Sequence, residues 1–467
     1  MNFRLASAVK HFGQIRHASA VAASAQEVLA AGNQAAISEL SNGFRVTSVE
    51  NNRHVSTIGL WLDLGSIYDD AHLNGSSAFV EQLVYHGSGG KAQLELELAK
   101  LGGRLSSYTS REHTAFFVQV PNAGVEKAVA LLANAVKNPS LDNSAVEAER
   151  NVLLRKLAES ESNLSEVALD NLHATAFQGT PFAQSPLGNT NGLTNISRDD
   201  IQSFLKNHLQ PTRIVLAGVG GVNHERLAAL GEQHFGSLTN NYERKIPQYE
   251  NVRFTGSEFI YRDDSVPYIH GAIAVEGVSQ NNPDALPLLV ASTIVGGWSN
   301  TSNVNVNAPS TLVQKLSILP ALKSYQSFSI NYNNTGLFGF QWVSTADDQA
   351  DVMEITGLIQ RQWKSLATSV TNDEIDRAKN LLKSEVLAVA DDSTRFADRI
   401  ARDVLNTGAP VQLADLDKAI QKIDSGSIRE AVSRNVYDRD VAVATVGRTE
   451  ATPLYAAVRY GQSWWRL

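Results

Sequence analysis

The chain has 467 residues, 43% hydrophobic and 19% charged, enough for a large packed core and, by length, for two to four domains. A net charge of −8 argues against a nucleic-acid partner, because phosphate backbones are held by basic faces. There is no cysteine, which excludes disulfides and cysteine-ligated metal sites.

Residues 1–26 carry Arg4, Lys10 and Arg16 and no acid, amid alanine, serine and scattered apolar residues; the first acid is Glu27. That composition predicts a mitochondrial transit peptide followed by a mature N-terminal arm. The run 58–64 is apolar except for Gly59 and Asp63 and predicts a mostly buried strand. In 75–86, Phe79, Val80, Leu83 and Val84 recur at helical spacing. Residues 114–120, rich in aromatic and β-branched side chains, predict a strand, and 125–136 and 145–157 predict amphipathic helices. Ala217-Gly218-Val219-Gly220-Gly221 lacks the full dinucleotide-binding spacing, since Asn223 stands where a third glycine would be, and predicts a strand end entering a turn. Residues 241–257 are polar, contain Pro247 and Gly256 and show no helical period, so they predict a linker between domains at 27–240 and 258–467. No apolar run approaches the roughly 20 residues that span a bilayer. The best candidate, 286–295, is broken by Ser292 and Thr293, which predicts no direct membrane span. The tail carries Tyr460, Trp464 and Trp465, suited either to packing on its own domain or to anchoring a neighbour.

The two halves share landmarks at one interval of 227 residues: Arg150 with Arg377, Ser197 with Asp424, Ile201 with Ile428 and Gly220 with Gly447. Ser197 and Asp424 each suit a helix N-cap, and each following helix leads to a short β-rich run, 214–219 and 441–446. The pattern predicts an internal duplication with an α+β fold, strands pairing through hairpins rather than in a strictly parallel sheet.

One segment carries the chemistry, through what it lacks. Ala78-Phe79-Val80-Glu81-Gln82 echoes the inverted zincin pattern His-x-x-Glu-His. In that pattern two histidines four apart on a helix hold one metal, and the glutamate activates a metal-bound water. Here Glu81 persists, but Ala78 has no donor atom and the neutral amide of Gln82 is a poor zinc ligand. His86, four residues beyond Gln82, is a candidate shifted ligand, but one histidine and an amide do not make a three-ligand shell. His72 and His113 read as ordinary loop histidines.

The flanks extend the echo. Residues 74–88 resemble the Gly-Thr-Ala-His-Phe-Leu-Glu-His segment of the mitochondrial processing peptidase (pitrilysin) family. Glu149-Arg150-Asn151-Val152-Leu153-Leu154-Arg155-Lys156 resembles the family's Glu-Arg-Asp-Val-Ile-Leu-Arg-Glu helix. Residues 171–181 resemble its Leu-His-x-x-Ala-Phe block, and residues 110–114, 296–298 and 333–339 fit β-type members. The resemblance implies that Lys156 occupies the third ligand position, or Ala158 if two more residues are counted, and that Glu149 is a surviving supporting carboxylate. It implies two α/β-sandwich halves facing each other, no cofactor, no metal and no catalytic residue. The chain is similar to the β-type branch that includes core subunits of mitochondrial ubiquinol–cytochrome c reductase (complex III). That implies a non-catalytic subunit, peripheral on the matrix side of the inner membrane, with a second core subunit and other complex III subunits as partners. A presequence-like peptide is a candidate occupant of the cavity between the halves. The alternative is a zinc-dependent processing peptidase β-type subunit or its non-catalytic partner.

Overall fold

The computed structural model describes residues 34–86, 90–139, 141–240, 252–302, 304–345 and 348–462. The expected transit peptide, most of the expected linker, and Trp464 and Trp465 lie outside the described residues.

The first half builds a sheet from β1 (Ala36–Glu39), β2 (Arg45–Glu50), β3 (Val55–Leu62), β4 (Arg104–Thr109), β5 (Thr114–Pro121) and β6 (Ile214–Gly220), ordered β1-β2-β6-β3-β5-β4. The second half builds one from β7 (Glu258–Arg262), β8 (Tyr268–Glu276), β9 (Gly297–Ser299), β10 (Leu322–Asn331), β11 (Gly336–Thr345) and β12 (Val441–Gly447), ordered β7-β12-β8-β11-β10-β9. Five positions correspond in order: β2 with β7, β6 with β12, β3 with β8, β5 with β11 and β4 with β10. In each half the strand from the far end of the chain segment, β6 or β12, pairs in parallel with one neighbour and antiparallel with the other. The sequence landmarks fall on equivalent places. Ser197 caps helix Arg198–His208 in a reciprocal box with Asp200, and the Asp424 side chain accepts from the Ser427 N–H at 2.8 Å at the head of helix Ser425–Asn435. Ile201 and Ile428 are fully buried. Gly220 and Gly447 end β6 and β12 at φ of 142° and 106°, where a side chain would be strained.

Both sheets are covered on both faces, which explains why β3 beyond Val55 and all of β6 are buried continuously rather than on alternate residues. On the outer face of the first sheet Val46, Ile58, Leu60 and Val118 pack with the helix Val125–Lys137, whose Ala128, Val129, Leu132 and Val136 follow the helical period. The inner face is closed by the other half: Phe396, Ala397, Ile400 and Val404 of helix Ser393–Thr407 pack on Val49, Trp61, Val215 and Ala217. The second sheet shows the mirror arrangement. Leu172 and Ala176 of the first-half helix Leu164–Ala176 pack on Ala272, Ala274, Ala442 and Ala444. Four alanines on that face let a helix approach the sheet closely. The halves therefore exchange one helix each, and polar contacts follow. Trp61 Nε1 donates to Asp398 Oδ1 at 2.9 Å, Tyr108 also donates to Asp398, and Arg45 donates to the Val404 carbonyl at 2.6 Å.

Several boundaries differ from the sequence reading. The strand expected at 58–64 runs Val55–Leu62, and the helix expected at 145–157 runs Asn143–Ser160. The predicted strand end at Gly220 is present. Residues 252–257 have no regular structure but are not a free tether: Val252 and Phe254 pack against the cluster around Phe177, and the Thr255 N–H donates to the Ala176 carbonyl at 2.7 Å.

Candidate functional site

Helix Ser76–Val84 carries Ala78, Glu81 and Gln82. It starts at Gly75, whose φ of 119° only glycine adopts without strain, and its exposed N–H groups are met by one carboxylate from the preceding loop. Asp69 accepts from the backbone N–H of Gly75 at 2.7 Å, from that of Ser77 at 3.0 Å and from Ser77 Oγ at 3.2 Å. Asp69 is fully enclosed, and burial pushes its carboxyl up to about 7 despite those donors.

Ala78 and Gln82 are buried on this helix. Glu81 is partly buried and both its oxygens are engaged: Ser107 Oγ donates to Oε1 at 2.8 Å and Thr109 Oγ1 to Oε2 at 2.7 Å, both from β4. Gln82 Nε2 adds a third contact to Glu81 Oε1 at 3.2 Å. Tyr85 donates to Ser107 in turn, and its phenol is raised to about 12 by burial.

Helix Ser76–Val84 packs against helix Asn143–Ser160, which brings Glu149 into the corner. Glu149 is buried, and its Oε1 lies 2.6 Å from His86 Nε2, while Oε2 has no partner. His86 is thus engaged by Glu149. Lys156, on the same helix as Glu149 and two turns further along, is partly buried, and Ala158 is exposed. Among the described residues no group of three His, Asp or Glu side chains is placed to hold a metal ion.

Two partners escaped the sequence reading. The Asp69 cap acts from a loop, with no helical or strand period to flag it. The His86–Glu149 pair joins positions 63 apart, visible only once two helices pack. His113 needs a correction: expected to be an ordinary loop histidine, it is buried with neither ring nitrogen partnered, because the β4–β5 turn is wedged against the second half. His72 is exposed in a turn, as expected. Concavities among the described residues lie outside the corner. A cleft of about 950 Å³ is lined by Asp69, Asp70, His72, Asp170, Asn207 and His208. A smaller one of about 400 Å³ lies where Ser165 of the first half meets Trp298, Gln326 and Gln341 of the second.

Residues 45–190 match the insulinase (peptidase family M16) model, and residues 195–382 match the M16 inactive-domain model. The chain is 42% identical to cytochrome b-c1 complex subunit 1, mitochondrial, of Caenorhabditis elegans, covering 97% of this chain and 96% of that protein. It is 36% identical to mitochondrial-processing peptidase subunit beta of Homo sapiens, covering 98% of this chain and 93% of that one. A chain in the structure of complex III2 from Candida albicans, Inz-5 bound, superposes with a TM-score of 0.82 at 25% identity, covering 92% of this chain and 99% of that chain.

Proposed function

The chain belongs to the M16 peptidase family, and from that premise we propose that it is a structural core subunit of mitochondrial complex III whose peptidase corner has lost its chemistry. The observation that carries this is the donor set of the corner. A catalytic zinc needs three protein ligands and an open position for water. Ala78 offers no donor, Gln82 is turned onto Glu81, and a lysine stands at the third position. Glu81 is saturated by two hydroxyls, and His86 is taken up by Glu149. The set does not fit the family's metal, so no hydrolytic step is assigned to it.

The chain serves the mitochondrial respiratory chain, with a second core subunit and other complex III subunits as partners. Its place is peripheral, on the matrix side. In support, no helix among the described residues is long and apolar enough to cross a membrane. An assembled subunit also needs apolar surface to bury, and Phe259, Ile260 and Tyr261 of the outer strand β7 and Leu454 near the C-terminus are exposed.

The test is to solubilise mitochondria in mild detergent and follow the chain. It should migrate with haem absorbance in a large complex, and alkaline extraction should release it from the membrane. Elemental analysis should find far less than one zinc per chain. A free heterodimer with chelator-sensitive cleavage of presequences would overturn the reading.

A further inference from the structure

The β4–β5 turn of the first half and the β10–β11 turn of the second are equivalent hairpin turns, and they meet at the junction of the halves. The Asn333 N–H donates to Glu112 Oε1 at 2.7 Å across that junction. Around this contact, Tyr332 OH donates to His173 Nε2 at 2.9 Å, because His173 Nδ1–H is spent on the Leu169 carbonyl at 2.8 Å. Arg111 pairs with Asp170.

Glu112 is 6% exposed and its neighbour His113 is 4% exposed. Glu112 Oε2 lies 3.8 Å from His113 Nε2, and neither ring nitrogen of His113 has a hydrogen-bond partner. A buried carboxylate beside a buried imidazole with two idle nitrogens leaves one economical arrangement: a proton on the carboxyl, facing a bare nitrogen. Other charged groups face the pair from each packed element. Asp63, at the end of β3, is paired with Arg213; Arg402 and Asp398 come from helix Ser393–Thr407; Arg111 and Tyr332 flank the two turns.

We propose that Glu112 and His113 form a proton-transfer latch. When the halves close, one proton passes from His113 to Glu112, so an ion pair that is stable in water becomes a neutral pair suited to burial. The proton leaves an imidazolium nitrogen and binds a carboxylate oxygen, with no net uptake or release. The latch keeps closure of the halves indifferent to pH.

The titration directions agree. Burial raises the Glu112 carboxyl from 4.5 to about 7 and lowers the His113 imidazole from 6.5 to about 4. Taken alone, the raised carboxyl favours the closed junction at low pH, and that preference is lost as pH rises from 4.5 to about 7. Taken alone, the depressed imidazole opposes closure at low pH, and that opposition is relieved between about 4 and 6.5. Between 4.5 and 6.5 the two slopes cancel, because open and closed pairs each hold one proton.

The experiment is hydrogen exchange of the 331–336 backbone in the full-length chain, corrected for intrinsic rate, from pH 4.5 to 6.5. The unaltered protein should show protection constant within about threefold. Glu112→Gln keeps an acceptor for Asn333 and leaves only the imidazole to titrate, so protection should rise about tenfold per pH unit. His113→Phe leaves only the carboxyl, so protection should fall about tenfold per pH unit. If either variant fails to fold, Glu112→Met or His113→Leu makes the same comparison. A tenfold-per-unit slope in the unaltered protein, or flat profiles in both variants, overturns the proposal.

Discussion

The two halves solve the same packing problem at equivalent corners, with different chemistry. In the first half, helix Ser76–Val84 meets β4 through Glu81, with Ser107 and Thr109 as donors. In the second half, helix Ala285–Val295 meets β10 through Ser292, whose hydroxyl lies 3.2 Å from that of Ser327. The second helix holds no charged residue, and its only side-chain polar groups are Ser292 and Thr293, the latter bonded back to the Leu289 carbonyl at 2.9 Å. A pair of hydroxyls therefore suffices to join helix to strand at this place in the fold. The fold tolerates the carboxylate in the first half because three donors surround it. A partly buried carboxylate without donors would cost several kcal/mol, whereas one with donors costs little.

The comparison also separates what holds each helix in place. The second helix begins at Asp284, which bonds Arg434 at 2.8 Å and Asn435 at 2.9 Å without capping its own helix. The first depends on the buried Asp69. The largest expected effect is therefore at that cap. Asp69→Ala strands two buried N–H groups and should destabilise the first half by roughly 3 kcal/mol, read by chemical denaturation. The same residue sets a pH dependence. Its folded carboxyl is raised to about 7 by burial, so its contribution is full below about 4 and is lost as pH rises to about 7. Asp69→Asn should remove that slope. Equal costs for Asp69→Ala and Asp284→Ala would break the comparison.

A middle effect is expected at the exchanged helix. Asp398→Ala removes the acceptor of Trp61 and Tyr108 at the inner face of the first sheet. It should cost about 2 kcal/mol and lower protection of both halves together, since the helix belongs to one and packs on the other. Loss confined to the second half would show that the exchange does not couple them.

The smallest effect is expected at the Glu81 carboxylate. In Glu81→Gln an amide replaces an acceptor-only group, but the Ser107 and Thr109 hydroxyls rotate to accept as readily as donate. Stability should change by less than about 1 kcal/mol, and complex assembly and respiration should be unchanged. Ser292→Ala in the second half should fall in the same range. Intact complexes with lost activity in Glu81→Gln would show that the two corners are not equivalent in function.

Much of this was legible in the chain itself. The helix Ser76–Val84, the strands around 58 and 114, and the caps at Ser197 and Asp424 follow from local period and capping chemistry, which act within a few residues. The departure of Ala78 and Gln82 from the His-x-x-Glu-His pattern was legible for the same reason, since two ligands on one helix face stand at fixed spacing, whereas the third position, Lys156 or Ala158 on a second helix, was reached only through the family resemblance. The shared interval between the halves carried the duplication, because equivalent strands and caps must recur in order. Tertiary structure alone decided the rest. It brought Glu149 to His86, aimed Asp69 at a helix six residues on, crossed one helix from each half onto the other's sheet, and sealed His113 at the junction. These depend on which surfaces close over which, and a side chain's burial and partners are set by segments far away along the chain, where local periodicity carries no information.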